Sequence, residues 1–262
     1  MLLEEMTFAE VKEYFANGNE MAIIPCGSTE QHGHHLVLGT DSFLAETFAK
    51  RLSEKTGILC VPTVSYGYAE YHKEGYSGTI GFDQDLLYTI YYSIAEQLVQ
   101  MGAKKIIFVN GHGGNSYPLK RVSMNLRLHH RVMGLIIDWW SVAEQLNPAW
   151  KETGHAGKEE TSAMLYLYPQ YVHPERIRFE GYRALSDTVE TLGSATFSYA
   201  GIAYHIWLNT SDVVPNGGGN YGEDPHLATV QQGKESVEAV IAHLAEFLQY
   251  GFGTMQLPSV QQ

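Results

Sequence analysis

Short apolar runs alternate with amphipathic stretches through the first half of the chain. "EMAIIPCG" (20–27), "ILCVPTV" (58–64), "AKKIIFVNG" (103–111) and "VMGLIIDWW" (132–140) are almost continuously apolar and read as buried strands. Between them, "SFLAETFAKRLSEKTG" (42–57), "DQDLLYTIYYSIAEQLVQMG" (83–102) and "SYPLKRVSMNLRLHH" (116–130) carry apolar residues at helical spacing. Gly57 stops the first helix, and Asp83 is placed to cap the second. Strands without polar alternation, separated by helices, predict an α/β fold with a parallel sheet covered on both faces. Ligands in such sheets collect where the strands end at their carboxyl edge.

Further along, "GKEETSAMLYLYP" (157–169) and "PHLATVQQGKESVEAVIAHLAEFLQY" (225–250) read as helices. The Gly- and Tyr-rich stretch 170–223 predicts irregular structure and subunit contacts. No internal repeat or linker interrupts the 262 residues, so a single domain is expected over 1–262.

Composition narrows the function classes. At 44% hydrophobic and 18% charged the chain is that of a soluble globular protein, and no apolar run approaches a membrane span. The amphipathic "MLLEEMTFAEVKEYF" lacks the layout of a signal peptide, which predicts a cytoplasmic protein. Cys26 and Cys60 both fall in strands and read as reduced core thiols. With 29 acidic against 17 basic residues, the net charge is −12. A surface so acidic offers no counterion release, which excludes nucleic-acid and anionic-membrane partners.

The chemistry clusters where the strands end. "PCGSTEQHGHHLVLGTD" (25–41) follows the first strand and holds Glu30, His32, His34, His35 and Asp41. Glu30, His32 and Asp41 are oxygen and nitrogen donors suited to Zn²⁺ or Mn²⁺, and a carboxylate can bridge two ions. Asp41 also directly precedes a helix and could be its N-cap. His34 and His35 read as surface or supporting side chains. After the third strand, "NGHGGN" (110–115) has glycines that let His112 project. It lacks the spacing and the lysine of a phosphate loop, although an anion cradle is the competing reading. In "GHAGKEETS" (154–162), His155 precedes a helix whose first turn holds Glu159 and Glu160. One of these glutamates suits the helix dipole and the other could complete a ligand set. His155 has the neutral pKa of a proton carrier. The loop after the second strand offers Tyr66, Tyr68, Tyr71, His72 and Tyr76 for a substrate pocket.

Taken in order, "GSTEQHGHHLVLGTD", "NGHGGN" and "HAGKEETS", with "YHKEGYSGTI" and "YGEDPHLATVQQG", resemble the creatininase (creatinine amidohydrolase) family over roughly residues 3 to 250. The resemblance implies an α/β/α sandwich around a mostly parallel sheet, a dinuclear metal site, C–N hydrolysis, and a homohexamer built as a trimer of dimers. By position, Glu30, His32, Asp41 and His112 match metal ligands, with Asp41 as the bridge, and His155 matches the proton-moving residue. Creatininase itself has a liganding Glu two places after the loop histidine, where this chain has Gly114. Glu160 then becomes the fifth ligand. Tyr66, His72 and Trp140 are the substrate-binding candidates, with Trp139 and Trp150 nearby.

Two divalent ions per subunit, Zn²⁺ and/or Mn²⁺, would ionise a water that attacks a carbonyl carbon, and His155 would protonate the leaving group. The expected reaction is hydrolysis of a C–N bond in a cyclic amide or formamide-like small molecule. The same site could cleave a C–C bond in a cyclic ketone such as a keto-inositol. A non-catalytic metal- or nucleotide-binding module is the remaining alternative.

Overall fold

In the computed structural model, which describes residues 1–151, 154–193 and 195–257, the apolar runs lie side by side. Strands β1 (Met21–Cys26), β2 (Leu59–Cys60), β3 (Lys105–Asn110) and β4 (Met133–Asp138) form one sheet in the order β2-β1-β3-β4. Every pairing in it is parallel. Cys26 lies opposite Asn110, and Asn110 opposite Asp138, so β1, β3 and β4 end level and their loops open on one edge.

Eight α-helices follow in chain order: α1 (Phe8–Ala16), α2 (Thr40–Thr56), α3 (Gln84–Met101), α4 (Ser116–Asn125), α5 (Trp139–Leu146), α6 (Lys158–Leu167), α7 (Thr210–Val213) and α8 (Val230–Glu246) among the described residues. Alternate strand residues divide between two cores, as the two-residue period of a strand requires. Ile23, Ile107 and Val109 pack with Leu44 and Phe48 of α2, Met164 of α6 and Val240 of α8. Ala22, Ile24, Ile106 and Phe108 pack with Tyr14 of α1, Tyr91 of α3 and Val122 of α4. The architecture is thus the expected α/β sandwich, and each fully buried Ile or Phe adds about 1.5–3 kcal/mol of transfer free energy. Cys26 and Cys60 are buried and unbridged. Among the described residues no helix is long and apolar enough to cross a membrane.

Several boundaries differ from the sequence expectation. The fourth strand stops at Asp138, and Trp139 and Trp140 open α5 instead of extending β4. The second strand is only two residues long, although Val64 still bridges to Cys26. The helices predicted over 116–130 and 225–250 pass into wider π-type turns at Leu126–His130 and Phe247–Gly251. The stretch 170–223 is not wholly irregular. It contains an antiparallel sheet of β5 (Val189–Thr191), β6 (Thr196–Tyr199) and β7 (Ile202–His205). The N-terminal segment forms α1, held by a capping box between Thr7 and Glu10.

Candidate active site

Glu30 and His32 lie on the loop leaving β1, Asp41 in the first turn of α2, and His112 directly after β3. Glu160 sits in the first turn of α6, and His155 just ahead of it. All six side chains are buried. The helix α2 starts at Thr40 with Gly39 as its cap, so Asp41 is free of the N-cap role and faces the site.

The imidazoles are oriented by main-chain carbonyls. His32 Nδ1 donates to Glu30 O (3.1 Å), His112 Nε2 to Tyr68 O (2.8 Å) and His155 Nε2 to Gln31 O (2.5 Å). A carbonyl only accepts, so these nitrogens carry the protons and the opposite nitrogens face inward. His32 Nε2 lies 2.9 Å from Asp41 Oδ1 and 3.8 Å from Glu160 Oε1. His112 Nδ1 lies 3.1 Å from Glu30 Oε2 and 3.3 Å from Asp41 Oδ2. His155 Nδ1 is 3.5 Å from Glu30 Oε1. In the neutral rings these are lone pairs facing carboxylate lone pairs, an arrangement that needs a positive charge between them.

In the protein alone, His32 and His112 meet that need by favouring their protonated forms. Burial lowers the pKa of His32 and His112, but the carboxylates of Asp41 and Glu30 outweigh it and hold both well above the usual imidazole range. Burial pushes Asp41 up, yet the two imidazoles hold it below the usual carboxylate range. Burial raises Glu30. His155 and His72 lie well below the ordinary value, chiefly through burial and then through the imidazoles beside them.

The donor set also fits metal ions. Glu30, Asp41 and His112 offer three atoms within 4.8 Å of one another, as do His32, Asp41 and Glu160, and again Glu30, His32 and His155. The first two groups share Asp41. Glu30 Oε1 and Asp41 Oδ2 are buried with no hydrogen-bond partner. Hydrogen bonds from the outer ring nitrogens to carbonyls are the usual support of metal-binding histidines. All donors are nitrogen or oxygen, which suits Zn²⁺ and Mn²⁺.

Neighbouring glutamates on α6 separate cleanly. Glu160 Oε2 accepts the Ala156 N–H (2.6 Å), while Oε1 faces His32. Glu159 points to α8, where its Oε2 accepts from Gln232 (2.6 Å). A side chain at Gly114 would overlap the Tyr68 carbonyl oxygen and the His112 ring, so this backbone has no room for a carboxylate there.

A cleft of about 130 Å³ opens onto these residues, walled by Tyr71, His72, Trp140, His155 and Tyr221. His72 is buried, with its ring 4.2 Å from that of His155. Its Nδ1 accepts from Gln31 Nε2 (3.1 Å) and Thr210 (2.7 Å), which leaves Nε2–H directed at Glu30 Oε1, 3.6 Å away. Tyr66 lies outside these walls, 41% exposed against Phe82. Trp139 is fully buried, stacked on Phe48 in the core, and Trp150 packs against that core. His34 is exposed and bonded to Gly217 O, whereas His35 is buried against Thr161. Sequence reading missed Gln31, whose main-chain oxygen orients His155 and whose amide orients His72. It also missed Tyr221, whose backbone pairs with that of His155. Neither carries a composition signal, although Tyr221 opens the "YGEDPHLATVQQG" segment.

The chain resembles proteins of known structure and function. A creatinine amidohydrolase from Pseudomonas putida is 31% identical over 194 residues, covering 66% of this chain and 74% of that protein. A 3-dehydro-scyllo-inosose hydrolase from Thermotoga maritima is 26% identical over 259 residues, 94% of this chain and 81% of that protein. The crystal structure of creatinine amidohydrolase superposes with a TM-score of 0.78 at 23% identity, over 97% of this chain and 98% of that one. A mutant creatininase of Zn-Zn type and a Mn creatininase superpose with TM-scores of 0.76 and 0.75 at 24% identity, each over 96% of this chain and 98% of that one. The family model for creatininase, described as creatinine amidohydrolase, matches residues 4–248, a span that holds every residue of the site, and the chain therefore belongs to the creatininase family.

Proposed function

We propose that this chain is a metal-dependent hydrolase that cleaves a C–N bond in a small cyclic amide or formamide-like substrate. One observation carries the reading: the two oxygens of Asp41 face different imidazoles, His32 at 2.9 Å and His112 at 3.3 Å, each held by a main-chain carbonyl. That arrangement supports two divalent ions, Zn²⁺ or Mn²⁺. Glu30, Asp41 and His112 would hold one, and His32, Asp41 and Glu160 the other. Such ions supply a Lewis acid and bring the pKa of a water toward neutrality.

The chain's own residues do the rest. His155 keeps its Nε2–H on Gln31 O, so Nδ1 is the atom that takes up a proton and hands it to the leaving nitrogen. Tyr71, His72 and Trp140 wall the cleft and exclude water around a small carbonyl compound. With Tyr66 outside the cleft, Tyr71 takes the aromatic role expected of that loop.

A second reading, hydrolytic C–C ring cleavage of a cyclic ketone, is favoured by the inosose hydrolase, which aligns with 94% of this chain. Metal-loaded protein assayed against lactams, formamides, cyclic ureides and cyclic ketones separates the two. Turnover confined to cyclic ketones establishes the second reading. No turnover of any class, with both ions bound, sinks the hydrolase reading.

A further inference from the structure

The asparagines that open and close "NGHGGN" have no part in the chemistry above, yet both are buried. Asn115 Nδ2 donates to Gly27 O (3.0 Å) and Asn110 Oδ1 (3.3 Å), while its Oδ1 accepts the Tyr68 N–H (3.2 Å). Asn110 Oδ1 also accepts the His112 main-chain N–H (3.2 Å), and its Nδ2 donates to Asp138 Oδ1 (2.7 Å). The pair thus ties together the ends of β1 at Gly27, the loop after β2 at Tyr68, the end of β3 and the end of β4. Flipping the Asn115 amide would break all three of its bonds, so its orientation is fixed. Approach at this point is close: a Cβ on Gly67 would stand 2.8 Å from Asn115 Oδ1.

Tyr68 is the link to the site. Its N–H is held by Asn115, and its carbonyl takes the His112 Nε2–H (2.8 Å). Where that carbonyl stands decides which nitrogen of His112 carries the proton and where Nδ1 points. The His32 ring is not oriented by Tyr68, since its Nδ1–H is held by the Glu30 carbonyl. Glu160 is likewise anchored elsewhere, on the Ala156 N–H.

We propose that Asn115 is a positioning residue for one ion position, that of Glu30, Asp41 and His112, acting through the main chain of Tyr68. The proposal rests on the two-ion reading. It requires that loss of the Asn115 amide weaken one ion and leave the other unchanged, whereas a general structural role would weaken both.

The test is zinc affinity measured by chelator competition on full-length protein, wild type first. Wild type that takes up fewer than two ions overturns the two-ion reading, and this proposal with it. Given two ions in wild type, Asn115→Asp is the isosteric probe, because it sets an oxygen against Gly27 O and Asn110 Oδ1. We expect one zinc to bind about 10- to 100-fold more weakly, the usual worth of a group supporting a ligand, and the other as in wild type. Two unchanged ions, or two weakened alike, overturn the proposal. If Asn115→Asp does not fold, Asn115→Ser is read on the same measure. Failure of both to fold overturns it as well, since a positioning role leaves the fold standing.

Discussion

His155 and Glu160 are five positions apart in the chain and meet the site through different atoms. Glu160 turns Oε1 toward His32, while His155 turns Nδ1 toward Glu30. If Glu160 holds an ion, Glu160→Gln should lower metal content together with activity, because an amide is a poorer ligand for a divalent cation. If His155 carries the proton, His155→Asn should keep both ions and lose on the order of 10² to 10⁴ in kcat. The rival assignment has a geometric basis, since His155 also falls within 4.8 Å of donors on Glu30 and His32. Metal content and kcat measured side by side decide between them, and a metal-depleted His155→Asn protein would overturn the proton-carrier role. His35 gives a second expectation at this scale. Burial, and then the charge of His32, bring its pKa down from 6.5 to about 4. The unfolded chain therefore binds the extra proton first, and stability is lost as pH falls from about 6.5 through about 4. At pH 5 the loss is about 2 kcal/mol. Urea unfolding of metal-stripped wild type and His35→Gln at pH 7 and pH 5 should show the wild type losing that much more. Equal losses would contradict it. The donor residues were legible as polar side chains crowded after apolar runs. The choice of Glu160 over Glu159 came only through the family resemblance and not from the local pattern, because adjacent helix positions point about 100° apart and the packing of α6 against α8 decides which one faces His32.

Helix α3 shows how far local signals reach at the scale of elements. Its limits, Gln84–Met101, follow the sequence expectation closely, and Asp83 Oδ1 accepts from Asp85 N and Leu86 N at 2.9 Å each. Asp83→Ala should cost about 1 kcal/mol in thermal or urea unfolding and leave kcat unchanged. A loss below a few tenths would show that the cap is replaced by water. The end of β4 teaches the converse. "GLIIDWW" reads as one apolar run, but the strand ends at Asp138 and two tryptophans begin α5. Trp139 is drawn into the core on Phe48, and Trp140 reaches the cleft wall. Apolar content alone cannot mark that boundary, since either state buries the indole. The small sheet β5–β7 was missed for another reason: its strands are three or four residues long, too short for a period to emerge.

At the scale of the molecule, β7 is the edge of that small sheet and all four of its residues are exposed. Ile202 and Tyr204 on it, and Ile206 and Trp207 just after it, are each at least half exposed. Apolar surface at a strand edge invites a partner chain. We expect a homohexamer, with light scattering giving about six times the chain mass, and a monomer at micromolar concentration would contradict it. Metal occupancy is the other property of the whole chain, because its donors come from loops after β1 and β3 and from the first turns of α2 and α6. An ion held among them joins segments that are far apart in the chain, in the case of His32 and Glu160 more than a hundred residues, and binds the folded state alone. At a free concentration 100 times its dissociation constant, one ion adds about 2.7 kcal/mol to stability. For a chain of this size that is a Tm shift of roughly 5–10 °C. Stripping with a chelator should therefore lower the calorimetric Tm by about that much, and Zn²⁺ or Mn²⁺ should restore it. Asp41→Asn provides the control, since Asp41 is the carboxylate common to the two groups proposed to hold the ions, Glu30/Asp41/His112 and His32/Asp41/Glu160. Its Tm should no longer respond to either ion. A wild-type Tm indifferent to chelator and to both metals would remove the metal centre from this account.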